Sequence, residues 1–192
     1  MRRLWAAGAA IVLGLALGGV PMAAQSPRTT WAVQGTITGC TEAAPGTTTD
    51  WGGTGRQIRD LIVTCTVEKG ADEAWVAGDA RLVGTSTERV NIDIPMYASG
   101  MFDPRYSPGA VRWGTTEIAG PDGTWVGPWV AYGGSPYVLV AEGTGEYAGL
   151  TLVASMPAVA PTVDGDAGVE FEGLIYEGPP PPFGPMPSAA SE

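Results

Sequence analysis

Apolar and polar residues alternate along short segments of this chain. WAVQGTITGC, residues 31–40, places Val33 and Ile37 on one face and threonines on the other. LIVTCTV, residues 61–67, alternates in the same way, with Cys65 on its apolar face. A period of two is typical of strands that bury one face, and helical spacing is scarce in the rest of the chain.

The same pattern recurs further along the chain. The segments 74–83, 89–95 and 169–177 are predicted strands, and VRWGTTEIAGPDGTWVGPWVAY, residues 111–132, predicts a hairpin with its turn at Gly120–Gly123. With 29 glycines and 17 prolines punctuating these runs, we predict an all-β fold. About eight strands favour an antiparallel β-barrel, and a β-sandwich is the alternative.

The ends of the chain indicate its domain organisation. Residues 1–24 combine two arginines, an apolar stretch and small residues, which is typical of a secretory signal peptide, and an uncleaved membrane anchor is the alternative. No second apolar run of membrane length follows. We therefore expect a secreted, extracellular protein with a single barrel domain over residues 25–177. Residues 178–192 are rich in proline, which cannot join a strand ladder, and are predicted to form a disordered tail. The segment Thr41–Arg56 lacks periodicity and is predicted to be a long loop.

The net charge limits the possible partners. The chain carries 20 acidic and 10 basic residues, and loss of Arg2 and Arg3 with the signal would take the net charge from −10 to −12. Because a protein of this negative charge repels nucleic acid and anionic lipid, we expect neither as a partner.

Two cysteines, Cys40 and Cys65, are present. An even number in an exported chain favours a disulfide, and a two-thiolate metal site is the alternative. Because the chain has no histidine, two thiolates would have no imidazole partners at zinc, and we predict neither a metal nor a cofactor.

The absence of histidine also excludes Ser-His-Asp and Cys-His triads. Lys69 is the only lysine, and no phosphate-loop motif surrounds it. Any catalysis would depend on carboxylates, tyrosine or serine.

The segment EGTGEYAGLT, residues 142–151, concentrates three glycines around Tyr147. A phosphate-binding loop would need a helix after these glycines, but the apolar run that follows is short and ends at Pro157. A turn between strands fits better, with Gly143 and Gly145 allowing positive φ and the Tyr147 ring covering Gly149.

This segment resembles the GTG-[E/R]-[Y/F]-x-G signature of dirigent and allene oxide cyclase-type β-barrels, and the hairpin before it is similar to the strands that precede that signature. The resemblance covers roughly residues 111–176. It implies an eight-stranded antiparallel barrel with an apolar cavity. The cavity residues of the plant cyclases and coupling proteins have no counterparts that can be matched here.

Three functions are consistent with these features. The first is a non-catalytic module. It either binds a small apolar ligand in its lumen, which would be lined by Trp113, Trp125, Trp129 and Tyr147, or has a lumen filled by these side chains. In the second case the protein would have a structural or interaction role. The second is a cofactor-free isomerase or cyclase. It would need a buried carboxyl of raised pKa, with Asp93, Glu117, Glu142 and Glu146 as candidates. The third is a carbohydrate-binding module, which would show a row of tryptophans on its outer face. The oligomeric state and the ligand are not specified by the sequence.

Overall fold

The computed structural model describes residues 29–51, 55–72, 76–95, 109–133, 135–157 and 168–180. The predicted signal peptide and the tail beyond residue 180 lie outside these residues. The strands are β1 Thr30–Ala44, β2 Thr47–Asp50, β3 Gly55–Lys69, β4 Ala77–Gly78, β5 Gly84–Pro95, β6 Val111–Ala119, β7 Gly123–Tyr132, β8 Tyr137–Gly145, β9 Leu150–Met156 and β10 Val169–Glu177.

Eight of these strands form a closed antiparallel barrel, which confirms the predicted fold class and excludes the sandwich. Neighbours pair in the order β3, β5, β6, β7, β8, β9, β10 and β1, and pairing of β1 with β3 closes the ring. β2 and β4 lie outside the ring, on β3 and β1 respectively. No long open edge is left within the ring, because each of its strands pairs on both sides.

Two local predictions were wrong. The predicted loop Thr41–Arg56 is largely strand, because β1 continues to Ala44 and β2 pairs with the start of β3. The predicted strand over 74–83 is instead β4, of two residues, and a short 3₁₀ helix over Ala80–Leu82. In both segments the secondary structure depends on backbone pairing with a neighbouring strand. The pattern of polar and apolar side chains does not reveal that pairing.

The alternating pattern separates the lumen from the outer surface. Val33 and Ile37 on β1 and Ile92 on β5 face the lumen and are nearly inaccessible, whereas the polar residues between them face outward. Phe171 and Ile175 on β10 follow the same rule. Their inward alternation builds a single apolar core inside the ring, as expected for a small barrel.

The predicted disulfide between Cys40 and Cys65 is present. The register of β1 on β3 shifts between Thr38 and Thr41, and Gly39 in this bulge has φ +57°. The extra residue turns Cys40 toward the lumen side, where Cys65 also lies. The bond therefore links the two strands whose pairing closes the barrel.

One end of the barrel is closed by aromatic and charged side chains. Leu82 of the 3₁₀ helix is fully buried there. The Trp125 indole donates a hydrogen bond of 2.8 Å to the Arg81 carbonyl, and the Arg81 guanidinium lies 4.6 Å over the Trp31 ring. Asp79 forms an ion pair of 2.6 Å with Arg81, which fixes the helix across the opening.

The segment EGTGEYAGLT forms the turn between β8 and β9 at the same end, as the sheet interpretation predicts. Gly145 has φ +62°, a conformation that favours glycine, as predicted, whereas the same prediction for Gly143 was wrong, because its φ is not positive. The prediction that Tyr147 covers Gly149 was wrong. Among the described residues, no group lies within 4 Å of the position of a Cβ at Gly149, whereas a Cβ on Gly123 would lie 2.8 Å from the Tyr147 ring. Tyr147 therefore packs inward, across the neighbouring hairpin.

Within the part of the chain that the structure describes, no helix has the length and hydropathy needed to cross a membrane.

Candidate ligand site in the barrel lumen

A cavity of about 20 Å³ lies within the lumen. This is room for about one water molecule. Residues of six strands line it: Ile37, Ser86, Glu88, Thr116, Ile118, Tyr137, Leu139, Ala154, Met156 and Phe171. Most of this lining is apolar, and the four polar side chains come from β5, β6 and β8.

Three of the polar side chains form a connected group. Glu88 and Thr116 lie directly opposite each other on β5 and β6. Tyr137 reaches them from β8, across the lumen, with its hydroxyl 2.8 Å from Thr116 Oγ1 and 3.5 Å from Glu88 Oε1. When Tyr137 donates to the carboxylate, its oxygen can accept from Thr116, which orders the chain of hydrogen bonds.

Burial changes the acidity of this group. It raises the pKa of Glu88 to about 7, against the opposing effect of the hydrogen bond from Tyr137. Burial, followed by the nearby Glu88 charge, raises the pKa of Tyr137 well above its ordinary value. Glu88 keeps some accessible surface, which we attribute to the cavity that it borders. The carboxyl is therefore balanced between its two protonation states near neutral pH, and the tyrosine stays protonated.

Ser86 adds an unsatisfied polar atom to the cavity wall. Its side chain is 1% exposed, and its hydroxyl oxygen has no hydrogen-bond partner among the described residues. A buried hydroxyl without a partner is unfavourable relative to a hydrogen-bonded one. Because Ser86 lines the cavity, a group placed there would supply the missing partner.

The Tyr137 ring packs against the ring of Trp129. The rings of Trp129 and Tyr137 stack at 4.5 Å between centroids. Trp129 is buried, and its indole nitrogen has no hydrogen-bond partner among the described residues. This packing restricts the Tyr137 side chain and so holds its hydroxyl toward Thr116 and Glu88.

The four aromatic residues predicted to line a ligand site have different positions. Trp129 faces the lumen behind Tyr137. Trp125 also faces the lumen but stacks on Tyr147 at the closed end, with 5.1 Å between ring centroids. The expectation that Trp113 lines the lumen was wrong, because it alternates with inward Arg112 and lies on the outer face. There the Arg59 guanidinium covers its ring at 4.8 Å.

The acids considered for catalysis all lie outside the lumen. Asp93 is on the outer face of β5 and forms an ion pair of 2.6 Å with Arg59. Glu117, Glu142 and Glu146 are exposed. The lumen carboxyl is Glu88, which was not among the candidates.

Glu88 has a signal in the sequence that could have identified it. In STERVNIDIP it shares alternate positions with Val90, Ile92 and Ile94, all of which face the lumen. The predicted strand began at Arg89, because the residues before it are polar. Extending the period of two by three residues toward the N-terminus would have placed both Glu88 and Ser86 inside.

The site offers hydrogen bonding and proton transfer. It holds one carboxyl, three hydroxyls and apolar walls. Among the described residues, no group of three or more acidic or cysteine side chains could hold a metal ion.

The chain matches no protein-family model, and the searches of curated proteins and of solved structures found no match.

Proposed function

We propose that this protein binds a small, mainly apolar molecule in the barrel lumen, with one polar group of that molecule held by Glu88, Tyr137 and Ser86. The observation that carries this proposal is the connected polar group within a mostly apolar cavity. A core that served only to stabilise the fold would gain from apolar residues at these positions, because a half-satisfied buried carboxyl and an unpaired hydroxyl are both costly.

The small volume of the cavity sets a condition on binding. The available 20 Å³ admits the polar group alone, so the apolar part of a ligand must displace side chains. Met156 lines the cavity, and its three rotatable bonds make it the wall residue that adapts most readily. Binding would thus be accompanied by a rearrangement of the lumen.

A second candidate function, a cofactor-free isomerase, is favoured by Glu88. A carboxyl with a pKa of about 7 is suited to taking a proton from one carbon of a substrate and returning it to another. Tyr137 would then stabilise charge on a substrate oxygen. A carbohydrate-binding role has less support, because the described tryptophans form no exposed outer row.

Export and family remain part of the proposal. The disulfide is compatible with an extracellular protein, and we propose that residues 1–24 direct secretion and are removed. We also retain, as a hypothesis, a relationship to dirigent and allene oxide cyclase-type barrels, which rests on the resemblance over residues 111–176.

Native mass spectrometry of the oxidised protein, purified from its own culture medium, tests lumen binding. We expect a bound mass that is lost on denaturation and that is absent or reduced in Ala154→Leu, which fills the cavity. Ala148→Leu, at an exposed turn position, is the matched control and should retain the mass. A bare wild-type chain would argue against lumen binding and in favour of a structural role.

A further inference from the structure

We propose that the polar group recognised in the lumen is the protonated amine of a small primary amine with an apolar body. This inference rests on the proposed lumen binding and specifies its ligand class. It follows from the charges, donors and acceptors of the cavity wall.

When Glu88 is ionised, the cavity wall carries a negative charge, and no described residue of the wall supplies a cation. Its ten residues include Glu88 and contain no lysine or arginine. Arg112 faces the lumen from β6, but it lies opposite Ile92, four residues along β5 from Glu88, and it is not part of the wall. A carboxylate ligand would therefore meet Glu88 with like charge in a poorly solvated site, which is unfavourable.

The acceptors of the wall outnumber its donors. The only hydrogen-bond partner of Glu88 among the described residues is Tyr137, at the long distance of 3.5 Å. The Ser86 oxygen has no hydrogen-bond partner within the described part of the chain. An ammonium group brings three donors and no acceptor, and its hydrogen bonds to a carboxylate are charge-assisted. It could satisfy Glu88 and Ser86 together, whereas a single hydroxyl has one proton to donate.

The size and the aromatic content of the cavity agree with this choice. The cavity holds a group about as large as one water, which suits an ammonium head. Phe171 and Tyr137 are part of the wall, and aromatic faces attract cations. Ile118, Leu139 and Met156 surround the same space and would contact the apolar body.

The groups around Glu88 predict how amine binding depends on pH. Val63 on β3 and Thr116 on β6 lie opposite it, and neither titrates. Tyr137 stays protonated, since its pKa is raised. Glu88 is therefore the group that ionises near pH 7. Amine affinity should rise as pH increases through 7, because the carboxylate form binds the cation.

Calorimetric titration of the full oxidised protein with hexylamine, 1-hexanol and hexanoate tests the proposal. We expect hexylamine at pH 8 to bind at least about tenfold more tightly than hexanol, as one charge-assisted contact would provide, and hexanoate not to bind. Lowering the pH to 5.5 should weaken hexylamine binding about tenfold or more and leave hexanol little changed.

Two variants make the test specific. Glu88→Gln should abolish both the preference for hexylamine and its pH dependence, whereas Glu117→Gln, on the exposed face of the neighbouring strand, should keep both. Ser86→Ala should weaken hexylamine binding several-fold without removing the pH dependence.

The possible results separate this inference from lumen binding itself. Hexanol or hexanoate binding as tightly as hexylamine would overturn the amine proposal and leave lumen binding standing. If none of the three binds, the amine proposal is wrong. In that case a bound mass in the native spectrum would still support a lumen ligand, and a bare chain would argue against both.

Discussion

The Tyr137 hydroxyl lies 3.5 Å from the Glu88 carboxylate and 2.8 Å from the Thr116 hydroxyl, inside a barrel whose lumen is mostly apolar. These residues are separated by 49 and 21 positions along the chain. Their meeting point defines the candidate site, and its electrostatics can be tested without a ligand.

Glu88 should make the protein less stable as pH rises. Its pKa is about 7 in the folded state and 4.5 in the reference state, so folding favours the protonated form. The stabilisation that Glu88 gives while it is protonated is fully present below pH 4.5 and is lost as the pH rises to about 7. We expect Glu88→Gln to raise the free energy of unfolding at pH 8 by up to roughly 3 kcal/mol, and to change it little at pH 4.

Urea unfolding at the two pH values checks this prediction. Glu117→Gln is the control, because Glu117 is exposed on the adjacent strand and should leave stability nearly unchanged at both. A Glu88→Gln variant with wild-type stability at pH 8 would show that the folded protein does not penalise the charged carboxyl.

Tyr147 should be required for the stability of the closed end. Its side chain is 4% exposed and stacks on Trp125, so Tyr147→Ala removes a buried aromatic ring. We expect a loss of roughly 3 kcal/mol, as for other large-to-small changes in cores. Thermal unfolding followed by circular dichroism measures it. Tyr132→Ala, where the side chain is 52% exposed, should stay within about 0.5 kcal/mol of wild type. Equal effects of the two changes would contradict the inward position of Tyr147.

The disulfide should contribute substantially to stability. Cys40 and Cys65 are 25 residues apart, and closing a loop of this length stabilises by roughly 3 kcal/mol in the chain-entropy model. We expect reduction, or the double change Cys40→Ala and Cys65→Ala, to lower the free energy of unfolding by about this amount. Urea unfolding with and without reductant measures it. Reductant should have no effect on the double variant, and a sensitivity there would point to a different cause.

Trp129 should report on the lumen, whereas Trp113 should not. Trp129 stacks on Tyr137, which lines the cavity, and Trp113 lies outside under Arg59. If hexylamine enters the lumen, we expect a change in tryptophan emission that Trp129→Phe largely removes and Trp113→Phe retains. A signal that depends on Trp113 would place binding on the outer surface.

Much of the architecture could be predicted from local patterns. A period of two identified most of the strands and placed Val33 and Ile37 on the apolar face of their strand, because a strand that buries one face needs apolar residues at alternate positions. The even number of cysteines in a chain without histidine indicated the disulfide between Cys40 and Cys65. The glycines around Tyr147 indicated a turn, because a helix could not follow them.

The candidate site depended on the tertiary structure. Alternation assigns Trp113 and Trp125 each to a face of its strand, but it does not predict which face will line the lumen. Only closure of the ring, through pairing of β1 with β3, made one face the interior. It enclosed Trp125, left Trp113 outside and brought β8 across from β5. Glu88 and Tyr137 meet because the barrel closes, and burial in that lumen is what raises the pKa of the carboxyl.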